Sequence, residues 1–183
     1  MENNSIYKNF IGALIAGVFI GIGCVVNAKL GGIIGAVLFS TGLVTIIKFK
    51  FPLFTGIVAD KLSMAFFTNA FIVLLGNASG ALLISILYSP IMPEVILPNH
   101  SIFILSCGTG LLMVAAYKSK SSLIAIMGVT LFIMCGWFHC IAEIGYGRLS
   151  SSQWCMAFLG NIVGGQLFRL YDLIDDCGEN KNE

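Results

Sequence analysis

His139 and Glu143 are the residues of this chain whose types and spacing most suggest chemistry. They lie one helical turn apart within an apolar run over residues 123–144. Because an ionisable side chain is costly in hydrocarbon, a histidine in a membrane-spanning segment is a candidate functional residue. Its imidazole titrates near neutral pH, so it could donate or share a proton there. The alternative is a histidine that only hydrogen-bonds a neighbouring helix and serves packing.

The composition indicates an integral membrane protein. Of the 183 residues, 57% are hydrophobic and only 10% are charged, and the mean hydropathy is +0.94. Soluble domains carry roughly 25% charged residues, so this chain cannot cover a soluble surface. Polar stretches are confined to residues 1–8 and the tail 172–183. We therefore predict a single membrane domain over residues 1–183, and the net charge of +1 does not indicate nucleic-acid binding.

Six apolar runs approach the length of about 20 residues that a membrane-spanning helix needs. They cover residues 10–27, 31–47, 66–88, 101–117, 123–144 and 154–171. The second run stops at residues 48–52 and resumes in a segment too short to span alone, which is either a loop or a break within one helix. In the fifth run, Gly136 marks a possible break just before His139.

The distribution of basic residues predicts the topology. An even number of spans places both termini on one side, and with the termini inside only Lys29 and Arg148 fall on the outer face. The inner face then carries Lys8, Lys48, Lys50, Lys61, Lys118, Lys120, Arg169 and Lys181. This excess follows the positive-inside rule, so we predict a multi-pass protein of the cell membrane with both termini cytoplasmic.

An internal repeat relates the two halves of the chain at an offset of 84 residues. The segment Leu75-Gly-Asn77-Ala-Ser-Gly80 recurs as Leu159-Gly-Asn161-Ile-Val-Gly164, and Phe54-Thr55 falls on Phe138-His139 at the same offset. The third and sixth spans would cross in opposite directions, so we predict inverted three-helix repeats over residues 10–88 and 101–171. Such repeats place a binding site near the midplane, where broken helices face a common pathway.

Four motifs, taken in order, resemble the formate/nitrite transporter family across essentially all six spans. They are Leu53-Phe-Thr-Gly56, Asn77-Ala-Ser-Gly-Ala-Leu82, Gly136-Trp-Phe-His139 and Gly160-Asn-Ile-Val-Gly-Gly165. The resemblance implies an all-α, aquaporin-like protomer with broken helices two and five, assembled as a homopentamer in membrane lipid. It also implies one pore per subunit for small monovalent anions, or their weak acids, such as formate, nitrite or hydrosulfide.

The resemblance also implies roles for individual residues. The family's pore histidine maps onto His139 and its loop threonine onto Thr55, and we expect Asn77 and Asn161 along the same pathway. The apolar constrictions that bracket the histidine map onto Phe39, Leu43, Leu53, Phe54 and Phe132.

The sequence also departs from the family pattern. Phe138 stands where the family usually has a glutamate, Glu143 stands where it has an asparagine, and residues 107–109 lack its asparagine. The lysine that gathers anions at the outer vestibule is missing, and His100 is a candidate replacement. Substrate and gating therefore do not follow from the resemblance.

A physical mechanism follows from the residues themselves. A bare anion loses much solvation free energy in a narrow apolar constriction, and its neutral acid loses far less. His139 could share a proton with the anion while Thr55 hydrogen-bonds a substrate oxygen. Glu143 could either hold His139 protonated or accept a bond from its Nδ1–H, and the sequence leaves both roles open.

Two other classes of protein remain alternatives. An aquaporin-type channel for neutral solutes would share the architecture but normally carries Asn-Pro-Ala motifs, which this chain lacks. A membrane-embedded enzyme is conceivable because Cys135 and Cys140 lie near His139 and Glu143. The further histidine or acidic cluster that a metal site needs is missing, so we predict no metal, no cofactor and no enzymatic activity.

Overall fold

The computed structural model describes residues 2–61, 63–88 and 94–179, and this part of the chain is helical and connected by short loops. The helices in these ranges, in chain order, are α1 Glu2–Leu30, α2 Gly32–Phe49, α3 Phe54–Ile57, α4 Met64–Tyr88, α5 Asn99–Ser119, α6 Ser122–Met134, α7 Cys140–Tyr146 and α8 Ser151–Glu179. The predicted helix end at residues 89–90 and the residues from 180 onward lie outside the described ranges.

Four of these helices, α1, α2, α4 and α5, are long and apolar enough to cross a membrane. Helix α6 is apolar but shorter, and α8 is long but carries a polar C-terminal part. The predicted first span was too short, because α1 continues through the polar residues 2–9 as one helix. Many large apolar side chains on the outer faces of the helices are exposed, as expected for surfaces that contact lipid.

Two helix pairs, α1 with α4 and α5 with α8, pack at very short range through glycine. A Cβ atom at Gly80 would overlap the carbonyl oxygen of Leu14, and one at Gly164 would overlap that of Cys107. Small residues allow the backbones of membrane helices to approach each other this closely. The two pairs therefore use the same contact in the two halves of the chain.

Two short irregular segments separate α2 from α3 and α6 from α7. The first contains Pro52, which lacks an N–H donor and disfavours helical geometry at the preceding Phe51. The second contains Gly136, whose φ of 67° lies in the left-handed region that glycine tolerates best. After each segment a short helix begins deep in the protein, with Leu53 and His139 as the extended N-cap residues.

Most of the buried apolar side chains form one cluster that surrounds the two short helices. All five predicted constriction residues, Phe39, Leu43, Leu53, Phe54 and Phe132, belong to it and are at most 4% exposed. Few polar side chains lie in this interior, and Thr55, His139 and Glu143 are among them.

Candidate functional site

The structure brings Thr55 and His139 together at the starts of the two short helices. The Thr55 Oγ1 and His139 Nε2 atoms are 2.8 Å apart, and both residues are essentially inaccessible to solvent. The sequence predicted both residues and a common location for them. A hydroxyl and an imidazole thus meet inside an otherwise apolar interior.

The backbone of α7 determines which nitrogen of His139 carries its hydrogen. The Ala142 N–H donates to His139 Nδ1 over 3.2 Å, so Nδ1 acts as the acceptor that caps α7. A neutral imidazole must then carry its hydrogen on Nε2, and Nε2–H donates to Thr55 Oγ1. Protonation of Nδ1 would break the cap, so this arrangement favours the neutral ring.

The hydroxyl hydrogen of Thr55 is available for another acceptor. Its oxygen accepts from His139, and the part of the chain that the structure describes contains no second partner for this side chain. A small anion beside Thr55 could therefore accept a hydrogen bond from this hydroxyl, and one from His139 only if Nε2–H turns from Thr55 Oγ1 to the anion.

Aromatic rings line one side of the histidine. Phe132 stacks on the His139 imidazole with ring centroids 5.9 Å apart, and Phe39 meets the edge of Phe132 at 6.1 Å. The next ring is Tyr146, 6.3 Å from Phe39. One predicted constriction residue, Phe132, therefore lies directly beside His139, and a second, Phe39, packs against Phe132.

The other predicted constriction residues have different surroundings. Leu43 and Leu53 are completely buried. Phe54 stacks on Phe158 of α8 with centroids 5.3 Å apart and lines an apolar cavity of about 410 Å³ between α4 and α8. Phe54 therefore packs against α8, whereas Phe132 packs against His139 and Phe39 packs against Phe132.

Asn77 holds the segment between α2 and α3 in place. Its Oδ1 accepts from the Phe54 N–H over 2.8 Å, and its Nδ2 donates to the Pro52 and Ala13 carbonyl oxygens. Because both amide hydrogens and the amide oxygen already have backbone partners, Asn77 acts on the segment's geometry.

Asn161 holds the segment between α6 and α7 by the same three types of bond. Its Oδ1 accepts from the Cys140 N–H, and its Nδ2 donates to the Phe138 and Ser106 carbonyl oxygens. All three bonds are between 2.8 and 3.0 Å. We therefore assign to Asn77 and Asn161 the role of positioning the two irregular segments. The sequence had instead suggested that they contact the pathway.

These bonds correct the local alignment of the two halves. Asn77 and Asn161 are 84 residues apart, but the groups they hold are 86 apart, from Phe54 to Cys140 and from Pro52 to Phe138. The counterpart of His139 is therefore Leu53, and the predicted pairing of Thr55 with His139 as repeat equivalents is wrong. The stretch from the short helix to the asparagine that holds it is 23 residues in the first half and 21 in the second. An ungapped comparison of the sequences could not detect this difference of two residues.

Glu143 is paired with Arg148, whose nitrogens Nε and Nη2 donate to its two carboxylate oxygens at 2.7 and 2.8 Å. The Glu143 side chain is 1% exposed and that of Arg148 is 17% exposed. Because His139 Nδ1 already accepts from Ala142, the suggestion that Glu143 accepts from Nδ1–H is wrong. Two parallel charge-assisted bonds fix the guanidinium strongly against this carboxylate.

Arg148 is the residue of this site that the sequence did not predict, because it was considered only as a basic residue of the outer face. Its guanidinium lies over the rings of Phe138 and Tyr146, with its central carbon 5.5 and 4.8 Å from their centroids. A carboxylate inside an apolar run requires a nearby cation, and Arg148 lies only five residues after Glu143. That requirement was the signal available in the sequence.

Two further positions that the sequence brought into question lie in α5. His100 is exposed in the first turn of α5. The buried Thr109 hydroxyl in α5 has no hydrogen-bond partner among the described residues. Within those residues, no three His, Cys, Asp or Glu side chains are grouped to hold a metal ion.

The fold is similar to that of two solved channel structures. A pentameric formate channel with formate bound has a TM-score of 0.78 at 21% identity, covering 95% of this chain and 99% of that chain. An FNT family ion channel has a TM-score of 0.72 at 19% identity, covering 92% and 89%. No protein-family model and no curated protein matches the sequence. The fold of this apolar, helical protein is therefore that of membrane channels.

Proposed function

We propose that this chain is a member of the formate/nitrite transporter family that conducts small monovalent anions or their weak acids. Formate, nitrite and hydrosulfide define the expected substrate class. The observation that carries the proposal is the buried contact of 2.8 Å between Thr55 and His139, located on a fold shared with a formate channel.

The proposed pathway passes the His139 imidazole between apolar constrictions. An anion entering this interior loses its hydration, and a hydrogen bond from the Thr55 hydroxyl replaces part of that loss. In the proposal Nε2–H of His139 moves from Thr55 Oγ1 to the anion and supplies a second bond. Phe132 and Phe39 keep the surroundings narrow and apolar, which favours the neutral acid over the bare anion.

Proton sharing at His139 is linked to the cap of α7. If Nε2–H passed its proton to the anion, Nδ1 would have to take up a proton from water to avoid an imidazolate, and the bond from Ala142 would then be lost. We therefore propose that His139 acts first as a neutral hydrogen-bond donor. Full transfer of the proton would be accompanied by a local change at the start of α7.

The proposed architecture is six membrane spans in two inverted three-helix repeats. The second span would consist of α2 and α3, and the fifth of α6 and α7, each interrupted beside the site. The matching glycine contacts and the matching bonds of Asn77 and Asn161 support this arrangement. We further propose a homopentamer in membrane lipid with both termini cytoplasmic.

The test is transport of formate, nitrite and hydrosulfide into liposomes from about pH 5 to 8, a range that spans the ordinary histidine pKa. His139→Asn keeps a side chain that can cap a helix but removes the titrating group. We expect this variant to fold normally, to lose pH-dependent uptake and to retain a pH-insensitive anion leak.

His100→Asn is the matched control, since it removes the other histidine of the chain at an exposed position. It should retain pH-dependent uptake, whereas its rate tests separately whether His100 gathers anions at the outer vestibule. If His139→Asn leaves the rate and the pH profile unchanged, His139 is a packing residue and the proposed mechanism fails.

A further inference from the structure

A pocket lined by three lysines lies at one end of the molecule, away from the Thr55–His139 site. Its volume is about 370 Å³, and it lies between the end of α2 and the link from α5 to α6. The residues that line it are Ile47, Lys48, Lys50, Tyr117 and Lys120. The proposed conduction mechanism gives this pocket no role.

Two of these lysines have a backbone conformation that does not suit lysine. Lys50 has a φ of 56° and Lys120 a φ of 54°, and they are the only non-glycine residues with positive φ in the described part of the chain. Each ends a helix at a position where glycine is usual. Backbone preference alone does not explain lysine at either position, yet both side chains line the same pocket.

The charges of this pocket are not neutralised by carboxylates. No ion pair involves Lys48, Lys50 or Lys120 among residues 2–61, 63–88 and 94–179. Asp60 interacts with Lys118 and lies near Tyr117. Burial raises the pKa of Asp60, and Lys118 lowers it in part. Three like charges around one concave space would favour a bound anion.

The pocket wall is connected to the segment that carries Thr55. The Tyr117 hydroxyl donates to the Phe51 carbonyl oxygen over 3.2 Å, and the Tyr117 ring packs against Gly56 of α3. Phe51 also stacks on the exposed Phe49, with centroids 5.8 Å apart. Aromatic rings beside lysines are typical of the membrane interface, where lipid headgroups lie.

We propose that Lys48, Lys50 and Lys120 form a binding site for a phosphate group. Lysine binds phosphate as a point charge, and lysines near a membrane attract anionic lipids. The phosphate could belong to a lipid headgroup or be free in solution, and the same lysines would recognise both. Occupancy would hold the end of α2 and the α5–α6 link together next to Tyr117.

The experiment measures the thermal unfolding midpoint of the purified protein in detergent with two probes. One probe is phosphatidylglycerol compared with phosphatidylcholine, and the other is inorganic phosphate. The test variant is Lys50→Asn with Lys120→Asn, because asparagine tolerates the left-handed backbone while the charge is lost. The charge-matched control is Lys29→Asn with Lys61→Asn, outside the pocket.

We expect phosphatidylglycerol to raise the midpoint of the unmodified protein and of the control by about 3 °C, and to leave the test variant unchanged. Lys50→Arg with Lys120→Arg keeps both charges and should retain the shift. A shift with phosphatidylglycerol alone identifies a lipid, and a shift with inorganic phosphate identifies a free anion.

Equal shifts in the test variant and the unmodified protein would overturn the proposal, as would the absence of any shift with both probes. Because the measurement is of unfolding and not of flux, its outcome does not depend on the proposed transport function.

Discussion

The two halves of the molecule share their framework but differ in their chemistry. In both halves a glycine brings two long helices together, and an asparagine holds a short helix start by three hydrogen bonds. At the equivalent helix starts, however, the first half has Leu53 and the second has His139. Two residues later the first half has Thr55 and the second has Ile141.

This difference shows that each half supplies one polar group and one apolar group. The hydroxyl of Thr55 comes from the first short helix and the imidazole of His139 from the second, and they meet at 2.8 Å. A strictly symmetric site would contain either two imidazoles or none. The matching glycine and asparagine contacts therefore position the two helix starts, and the residues that differ between the halves determine which groups meet there.

The largest expected effect concerns an ion pair that only the second half carries. Arg148→Gln leaves the buried Glu143 carboxylate without its partner. In the first half, the residue equivalent to Glu143 is the uncharged Ile57. We expect a loss of about 3–5 kcal/mol in the free energy of unfolding. Equilibrium unfolding in mixed detergent micelles would measure it.

Replacing both partners tests whether this loss comes from the uncompensated charge. The double variant Glu143→Gln with Arg148→Gln should recover much of the stability, giving a clear coupling in a double-mutant cycle. Additive effects of the two single changes would contradict a direct pairing.

An intermediate effect is expected for the two asparagines, and it tests the symmetry of the framework. Asn77→Leu and Asn161→Leu each leave a buried backbone N–H without its acceptor, which costs about 1–3 kcal/mol. We expect similar losses in the two variants, measured by the same unfolding experiment.

Asn69→Leu is the control in the same helix as Asn77, because its side chain accepts from the half-buried Asn9 side chain and, within the described ranges, holds no backbone N–H. Its effect should be clearly smaller. A large loss in one of the two halves, with none in the other, would show that their frameworks are not equivalent.

The smallest expected effect concerns the polar group of the first half. Thr55→Val removes a hydroxyl at nearly constant size, and one hydrogen bond is worth about 1 kcal/mol, which corresponds to roughly a fivefold change in rate. Formate flux in liposomes should fall by about this factor, while Thr55→Ser should retain it. Equal flux in Thr55→Val would exclude the hydroxyl from the pathway.

Much of the fold could be predicted from the apolar runs and from Pro52 and Gly136. These features locate the long helices and the two irregular segments, because length and backbone chemistry act locally. The start of α1 was not predicted, since residues 2–9 are polar and hydropathy alone gives no reason to include them. The local alignment of the halves depends on loop length, which only the hydrogen bonds of the two asparagines reveal.

The site was predicted in part. His139 was identified because ionisable groups are rare in such an interior. Thr55 was identified from the 84-residue repeat, which misaligned it, and from the resemblance to the formate/nitrite transporter family. The role of Glu143 was not predicted, because its pairing with Arg148 depends on how the turn after α7 folds back. The bond from the Ala142 N–H to His139 Nδ1 was not predicted either, because it requires that α7 begin at Cys140, and the sequence does not locate that helix start.

The asparagine bonds also have a consequence for the order in which the chain can fold during synthesis. Asn77 follows Phe54 by 23 residues, and Asn161 follows Cys140 by 21, so each irregular segment leaves the ribosome before the side chain that holds it. The first segment can nevertheless be completed as soon as α4 has entered the membrane, before α5 is made. Thr55 must wait much longer, because His139 is synthesised 84 residues after it. A nascent chain arrested after α4 should therefore already contain a folded half with an unpaired hydroxyl at its centre.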